Sequence, residues 1–289
     1  MSPRVWFITG CSTGFGRELV LQALKRGDKV IATARNVSKL ADLEAEGAKI
    51  LPLDVTADLG SLKQSAATAY AVYDRIDILV NNAGYLCSGS IEETSPEETY
   101  SQFNANVFGL LNINRAFLPY LRAQKSGVIA NFSSIGAWTG PAGVGIYCAS
   151  KWAVAGISEA MSSELAEFGI RTISIEPGFF RSKLLDGGNR SVIQNYIADY
   201  DGAAARKGMQ MLEALDQKQP GDIAKGCKVI IDVLTQCSTA AGKDIPIRLA
   251  LGADSYELIR AKCQETITLL DGWKDISTPT NHDDVAGNL

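Results

Sequence analysis

The sequence has one histidine, His282, and six cysteines (Cys11, Cys87, Cys148, Cys227, Cys237 and Cys263) with no C-x-x-C pair among them. That scarcity leaves no ligand set with zinc-site spacing, so no metal is expected, and scattered thiols in a chain this long point to a reducing compartment. No apolar stretch approaches the roughly 18 residues that a membrane span requires. The first apolar run, VWFITG, begins at Val5 and leaves no room for a secretory leader. The terminal Gly287-Asn288-Leu289 is not a peroxisomal address, so a cytoplasmic protein is expected. Positive charge is not in excess either: 28 basic against 32 acidic residues give a net charge of −4. With the signs interspersed there is no basic stripe to grip nucleic acid. Repeats, low-complexity segments and linkers are absent.

What remains is the profile of an ordinary soluble globular protein, 289 residues with 46% hydrophobic and 21% charged residues. Short β-branched runs alternate with longer amphipathic stretches. Strands are expected at VWFIT from Val5, KVIATA from Lys29, AKILPLD from Ala48, IDILVN from Ile76, GVIANFSS from Gly127, IRTISIEP from Ile170 and IPIRLAL from Ile245. Most are nearly continuous apolar runs, as in strands buried on both faces of a parallel sheet. Helical patterns fill the gaps at residues 16–26, 58–73, 96–125 and 147–168. The reading is an α/β fold: one Rossmann-type, doubly wound parallel sheet of about seven strands with helices on both faces, a single domain over 1–289. Residues 182–220 interrupt the rhythm and are expected to form a substrate lid with short helices. A short polar tail is expected over 274–289.

ITGCSTGFG closes the first strand and opens the first helix, which puts Gly10, Ser12, Thr13, Gly14, Phe15 and Gly16 at a turn where a pyrophosphate can sit on a helix N-terminus. The spacing is G-x-x-x-G-x-G. The second strand ends ATARN. Where NAD sites commonly carry an acidic residue there is Ala34, followed by Arg35. A carboxylate would repel a 2′-phosphate and a guanidinium can grip it, so the expected cofactor is NADP(H). Asp54, at the end of the third strand, is expected to accept from the adenine amino group. NNAG, Asn81 to Gly84, is expected to stiffen the sheet centre and admit the cofactor ribose, with Asn81, Ala83 and Gly84 as contacts.

In YCASK, Tyr147 and Lys151 fall one helical turn apart. Bringing a phenol of pKa about 10 near neutrality takes roughly 3 units, or about 4 kcal/mol. A unit charge some 4 Å away at an effective dielectric of about 20 supplies around 4 kcal/mol. Lys151 is therefore expected to depress Tyr147 enough for proton transfer. Six motifs in order, TGxxxGxG (Thr9 to Gly16), NNAG, Asn106 in NANVFG, Ser134, Tyr147-x-x-x-Lys151 and Pro177-Gly178, make the chain resemble the short-chain dehydrogenase/reductase family from Val5 to about Ser182. The segments after Gly221 resemble its hydroxysteroid and retinol dehydrogenase branch. The resemblance implies Asn106, Ser134, Tyr147 and Lys151 as catalytic residues. In these roles Tyr147 is the acid/base and Ser134 polarises the substrate oxygen. Lys151 also contacts the nicotinamide ribose, and Asn106 marks a helix irregularity that holds a water. Pro177, Gly178 and Ser182 would meet the nicotinamide.

The pocket walls read as apolar, with Leu86, Ile135, Trp138, Val144, Phe179 and Leu184 as substrate contacts, which implies a lipophilic carbonyl compound or secondary alcohol. Two other readings use the same scaffold: a biosynthetic enzyme acting on an imine or a cyclisation substrate, and a non-catalytic NADP-binding sensor. The resemblance further implies a homodimer or homotetramer paired through the helices at 96–125 and 147–168.

Overall fold

All seven apolar runs become strands of one parallel sheet in the computed structural model, which describes residues 3–186 and 190–282. The chain opens with β1 (Val5–Ile8), α1 (Gly14–Lys25), β2 (Lys29–Ala34), α2 (Ala41–Ala45), β3 (Lys49–Pro52), α3 (Leu59–Ala71) and β4 (Ile78–Asn81). It continues through β5 (Leu86–Ser88), α4 (Pro96–Phe103), a π-helical turn (Asn104–Gly109), α5 (Leu110–Gln124), β6 (Gly127–Phe132) and α6 (Gly145–Leu165). Then come β7 (Ile170–Pro177), β8 (Arg190–Val192), α7 (Ala204–Leu215), α8 (Ile223–Thr235), β9 (Arg248–Leu251) and α9 (Ala253–Ser277). The main sheet runs β3-β2-β1-β4-β6-β7-β9, and every pairing in it is parallel.

Strand alternation divides the core into two layers. From β1, Trp6 and Ile8 pack on one face with Leu19 and Val20 of α1 and Ile230 and Leu234 of α8. Val5 and Phe7 pack on the other with Leu62 of α3, Phe117 of α5 and Leu165 of α6. Both faces being covered is why these strands read as unbroken apolar runs. The last strand starts at Arg248, later than Ile245, because Pro246 has no N–H for the ladder.

Local chemistry sets the helix ends that matter for the site. Ser95 and Glu98 close a capping box on α4 with Pro96 in the first turn. The single helix expected over 96–125 is broken by the π-turn at 104–109, the irregularity expected at Asn106. Gly109 is required there, since a Cβ on it would lie 2.7 Å from the Val55 carbonyl.

Within the insertion at 182–220, β8 pairs with β5 as a separate two-stranded parallel sheet, and α7 supplies a short helix. Gly187, Gly188 and Asn189 of this insertion lie outside the described residues. The insertion is tied to the loop after β5 by Arg206, which donates to the buried Glu93 at 2.6 Å, and by the Ile197 N–H, which donates to the same carboxylate at 3.0 Å. At the chain end, α9 extends through Lys274–Ser277, four residues into the expected tail. Residues 283–289 of that tail lie outside the described ones.

Candidate active site

Strand order reverses between β1 and β4, the point at which a doubly wound sheet leaves a crevice beyond its carboxyl ends. A cleft of about 650 Å³ occupies it. The glycine-rich turn after β1 forms its floor. Gly10 has φ +72° and a Cβ there would lie 2.9 Å from Ala83 Cα. Gly14 has φ +61°, with only Ser182 within 4 Å of such a Cβ, so the backbone there is bare toward the cleft. Thr13 makes no side-chain cap on α1, and the first turn has no acidic residue. The first N–H groups of α1 are thus unanswered donors at the positive end of a helix dipole, which suits a pyrophosphate.

Thr9 anchors the neighbouring turn: its hydroxyl oxygen accepts from the N–H groups of Asn82 and Ala83, both at 3.0 Å. Asn82 lines the cleft; Asn81 does not. Asn81 was the expected contact, but its amide donates to Asn114 at 2.8 Å and Asn131 at 2.9 Å inside the core. It stiffens the sheet centre and leaves the cleft to its neighbour. Gly16 also lies off the cleft. A Cβ on it would lie 2.6 Å from the Gly10 carbonyl oxygen, so it is required for packing.

β2 and β3 bring Ala34, Arg35 and Asp54 to one side of the cleft, and β6 and α6 bring Ser134, Tyr147 and Lys151 to the other. Arg35 is exposed. Burial alone would raise the Asp54 carboxyl, but hydrogen bonds from Thr56 and the charge of Arg35 outweigh it and hold it below the usual carboxylate range. Ser12, Thr13, Phe15, Ala83, Gly84, Pro177, Gly178 and Ser182 also line the cleft, as expected. The Ser182 hydroxyl oxygen accepts from Leu184 N at 3.1 Å, which leaves its O–H to donate. The residues present therefore fit a dinucleotide.

At the reacting end, the two serines after β6 separate by what they touch. Ser133 is buried and donates to the Lys151 carbonyl at 2.8 Å. Ser134 accepts from Gly136 N at 3.0 Å and lines the cleft beside Tyr147. Lys151 Nζ donates to the Phe132 carbonyl at 2.8 Å and lies 5.7 Å from the Tyr147 ring centre. Burial pushes the Tyr147 hydroxyl up to about 12, with Ser134 pulling the other way, and pulls the Lys151 ammonium down to about 8. The direction at Tyr147 is opposite to the expected depression. Removing both groups from water outweighs a charge held at that distance and shared with a carbonyl.

Asn106 accepts from Tyr85 N at 3.1 Å and donates to Tyr85 O at 3.1 Å and Ser150 at 3.2 Å. Both ends of its amide are therefore engaged by protein groups. Gly84 is what admits this side chain, since a Cβ on it would lie 2.9 Å from Asn106 Oδ1.

Beside Ser134 and Tyr147 a smaller pocket of about 70 Å³ is lined by Leu86, Ile135, Phe179 and Leu184 from the expected set. Val144 belongs to the buried apolar cluster that also holds Tyr147 and Leu212, and it does not line the pocket. Trp138 turns away: its Nε1 donates to the buried Glu176 at 2.7 Å under the Arg248 guanidinium. The ion pair between Arg248 and Glu176, 2.7 Å, draws it there. Several lining residues of the two pockets escaped sequence reasoning, among them Asn82, Arg190 and Gln219. Asn82 sits inside NNAG, while Arg190 and Gln219 lie in the insertion with no motif around them. Gln219 is buried with neither amide atom hydrogen-bonded among the described residues, an arrangement that costs about 1–3 kcal/mol when nothing answers it.

Gly178 lines the cleft, but its missing Cβ serves a different neighbour from the expected one. A Cβ there would collide with the carboxylate of Asp254 at the start of α9, which accepts from Phe179 N at 2.6 Å. Gly178→Ala is expected to destabilise the fold by about 1–3 kcal/mol. In thermal unfolding the double variant with Asp254→Ala should recover part of the loss. No recovery would mean that the clash lies elsewhere.

Residues 4–191 match the family described as short chain dehydrogenase. The chain is 33% identical over 279 residues to the oxidoreductase BOA17 of Botryotinia fuckeliana, covering 95% of this chain and 98% of that one. It is 38% identical over 190 residues to an NADPH-dependent pterin aldehyde reductase of Arabidopsis thaliana, covering 64% of this chain and 78% of that one. A solved short-chain dehydrogenase from Streptomyces avermitilis superposes with a TM-score of 0.87 at 36% identity, covering 97% of this chain and 100% of that one. No helix among the described residues is long and apolar enough to cross a membrane.

Proposed function

The chain belongs to the short-chain dehydrogenase family, and from that premise we propose that it is an NADP(H)-dependent oxidoreductase interconverting a lipophilic ketone or aldehyde and its alcohol. The observation that carries the reading is the convergence of Ser134, Tyr147 and Lys151 on the cleft that Arg35 and the uncapped end of α1 also line. When bound, the cofactor supplies or accepts the hydride. The Ser134 O–H donates to the substrate oxygen and polarises the carbonyl. Tyr147 gives its proton to that oxygen as negative charge builds on it, and takes it back in the oxidative direction. Tyr147 is raised by burial, so it holds its proton at neutral pH and is set as the acid of the reductive direction. The Lys151 ammonium, with one donor on Phe132 O and two remaining, stabilises the phenolate left behind and reaches for the ribose hydroxyls. Arg35 favours the phosphorylated cofactor, and the NADPH dependence in the name of the Arabidopsis relative supports that preference. The apolar wall of Leu86, Ile135, Phe179 and Leu184 supports a lipophilic substrate. The test is NADPH consumption on a panel of lipophilic ketones and aldehydes, with NADH in parallel. Turnover with NADPH and weak use of NADH are expected. Tight NADPH binding with no turnover on any substrate would point to a sensor.

We also propose that two copies pair through α4, the π-turn, α5 and α6, where Tyr100, Phe108 and Trp152 are exposed and form the kind of apolar face that interfaces cover. Sedimentation should find a dimer or tetramer that Trp152→Glu weakens; a wild-type monomer would sink the pairing.

A further inference from the structure

Gln219 is the one polar side chain in the small pocket that no neighbour explains. It is 2% exposed, and among the described residues neither its Oε1 nor its Nε2 has a hydrogen-bond partner. Its backbone carbonyl accepts from Arg181 at 3.2 and 3.3 Å, so the residue is anchored in place. It lines the same 70 Å³ pocket as Ser134 and Tyr147, together with Leu86, Phe179 and Leu184. A buried amide is retained against its desolvation cost when something pairs with it. Among the described residues the surrounding wall offers no group that does.

We propose that Gln219 binds a second oxygen function of the substrate, and that the substrates are hydroxyketones, with the corresponding diols, in place of simple hydrocarbon ketones. A hydroxyl both donates and accepts, so it answers Oε1 and Nε2 together, whereas a second carbonyl answers Nε2 alone. A pocket this small sets that hydroxyl within a few bonds of the carbon that meets Tyr147. A site built to hydrogen-bond a substrate group discriminates strongly against the analogue that lacks it, because its own buried group is then left unpaired. The inference rests on the reductase reading above, and the experiment separates the two.

The test is kcat/KM with NADPH for a plain alkyl ketone and for the β- and γ-hydroxyketones of the same chain length. Wild type, Gln219→Met, which keeps the length but loses the amide, and Gln219→Glu, which loses the amide N–H donors and when ionised keeps only acceptors, are compared. Wild type is expected to prefer a hydroxyketone by about tenfold or more. Gln219→Met should lose that preference, with affinity for NADPH unchanged. Its thermal midpoint should not fall, since an unpaired buried amide has been removed. Gln219→Glu should fall between the two. A preference that survives both substitutions, or no preference in wild type, would overturn the assignment and leave the reductase reading standing. Wild type that binds NADPH and reduces none of the ketones would overturn both.

Discussion

Tyr147→Phe is expected to lower kcat for ketone reduction by about 10²–10⁴-fold, the range that a positioned acid contributes, while NADPH binding stays close to wild type. The phenyl ring keeps the shape of a side chain that is only 8% exposed, so the loss isolates the hydroxyl. Hydride arrival makes an alkoxide, and in a wall of Leu86, Ile135 and Phe179 water is a poor substitute donor. The pH profile carries a sign that distinguishes the two partners. Burial raises Tyr147 to about 12, so its proton is present across the neutral range. Burial lowers Lys151 to about 8, so it is charged below that pH and neutral above it. For reduction, kcat/KM reports the free enzyme and should be level below pH 8 and fall above it as the ammonium is lost. Lys151→Met should be slow throughout and lack that limb. Single-turnover NADPH oxidation from pH 6 to 10 measures both. Unchanged turnover in Tyr147→Phe would remove it as the acid, and a wild-type profile flat through pH 9.5 would remove Lys151 from the step.

Arg35→Asp is expected to weaken NADPH binding by about 10- to 150-fold, the equivalent of the 1.5–3 kcal/mol of a hydrogen bond to a charged group, and to leave NADH binding the same or better. Arg35 directly follows Ala34, whose carbonyl accepts from Leu53 N at 3.1 Å and so locks the end of β2 to the segment leading to Asp54. The guanidinium is therefore presented from a fixed backbone, beside a carboxylate held below the usual range. The substitution removes a grip on the 2′-phosphate and adds a repulsion. Arg35→Ala separates the two contributions, and should lose less. Equilibrium binding of both cofactors to the three proteins is the measurement, and an NADPH to NADH preference unmoved by Arg35→Asp would exclude Arg35 from phosphate recognition.

The amino-acid sequence by itself determined the class of fold, its seven strands and the order of its site motifs. Those features depend on short-range chemistry: apolar runs such as VWFI that suit burial on both faces, and a Gly10-to-Gly16 turn that only one strand-to-helix junction accommodates. The Tyr147 to Lys151 spacing was legible for the same reason, being one turn of one helix. Tertiary structure decided whatever depends on partners far along the chain. Gly178 answers to Asp254, Trp138 to Glu176 and Arg248, and Asn81 to Asn114 and Asn131. The direction of the Tyr147 shift belongs to the same class, since spacing supplies the distance to a charge but only packing supplies the desolvation that outweighs it. Gln219 was illegible for the opposite reason. A glutamine in an insertion ordinarily faces water, and only the fold buries this one in an apolar pocket with neither amide atom hydrogen-bonded among the described residues.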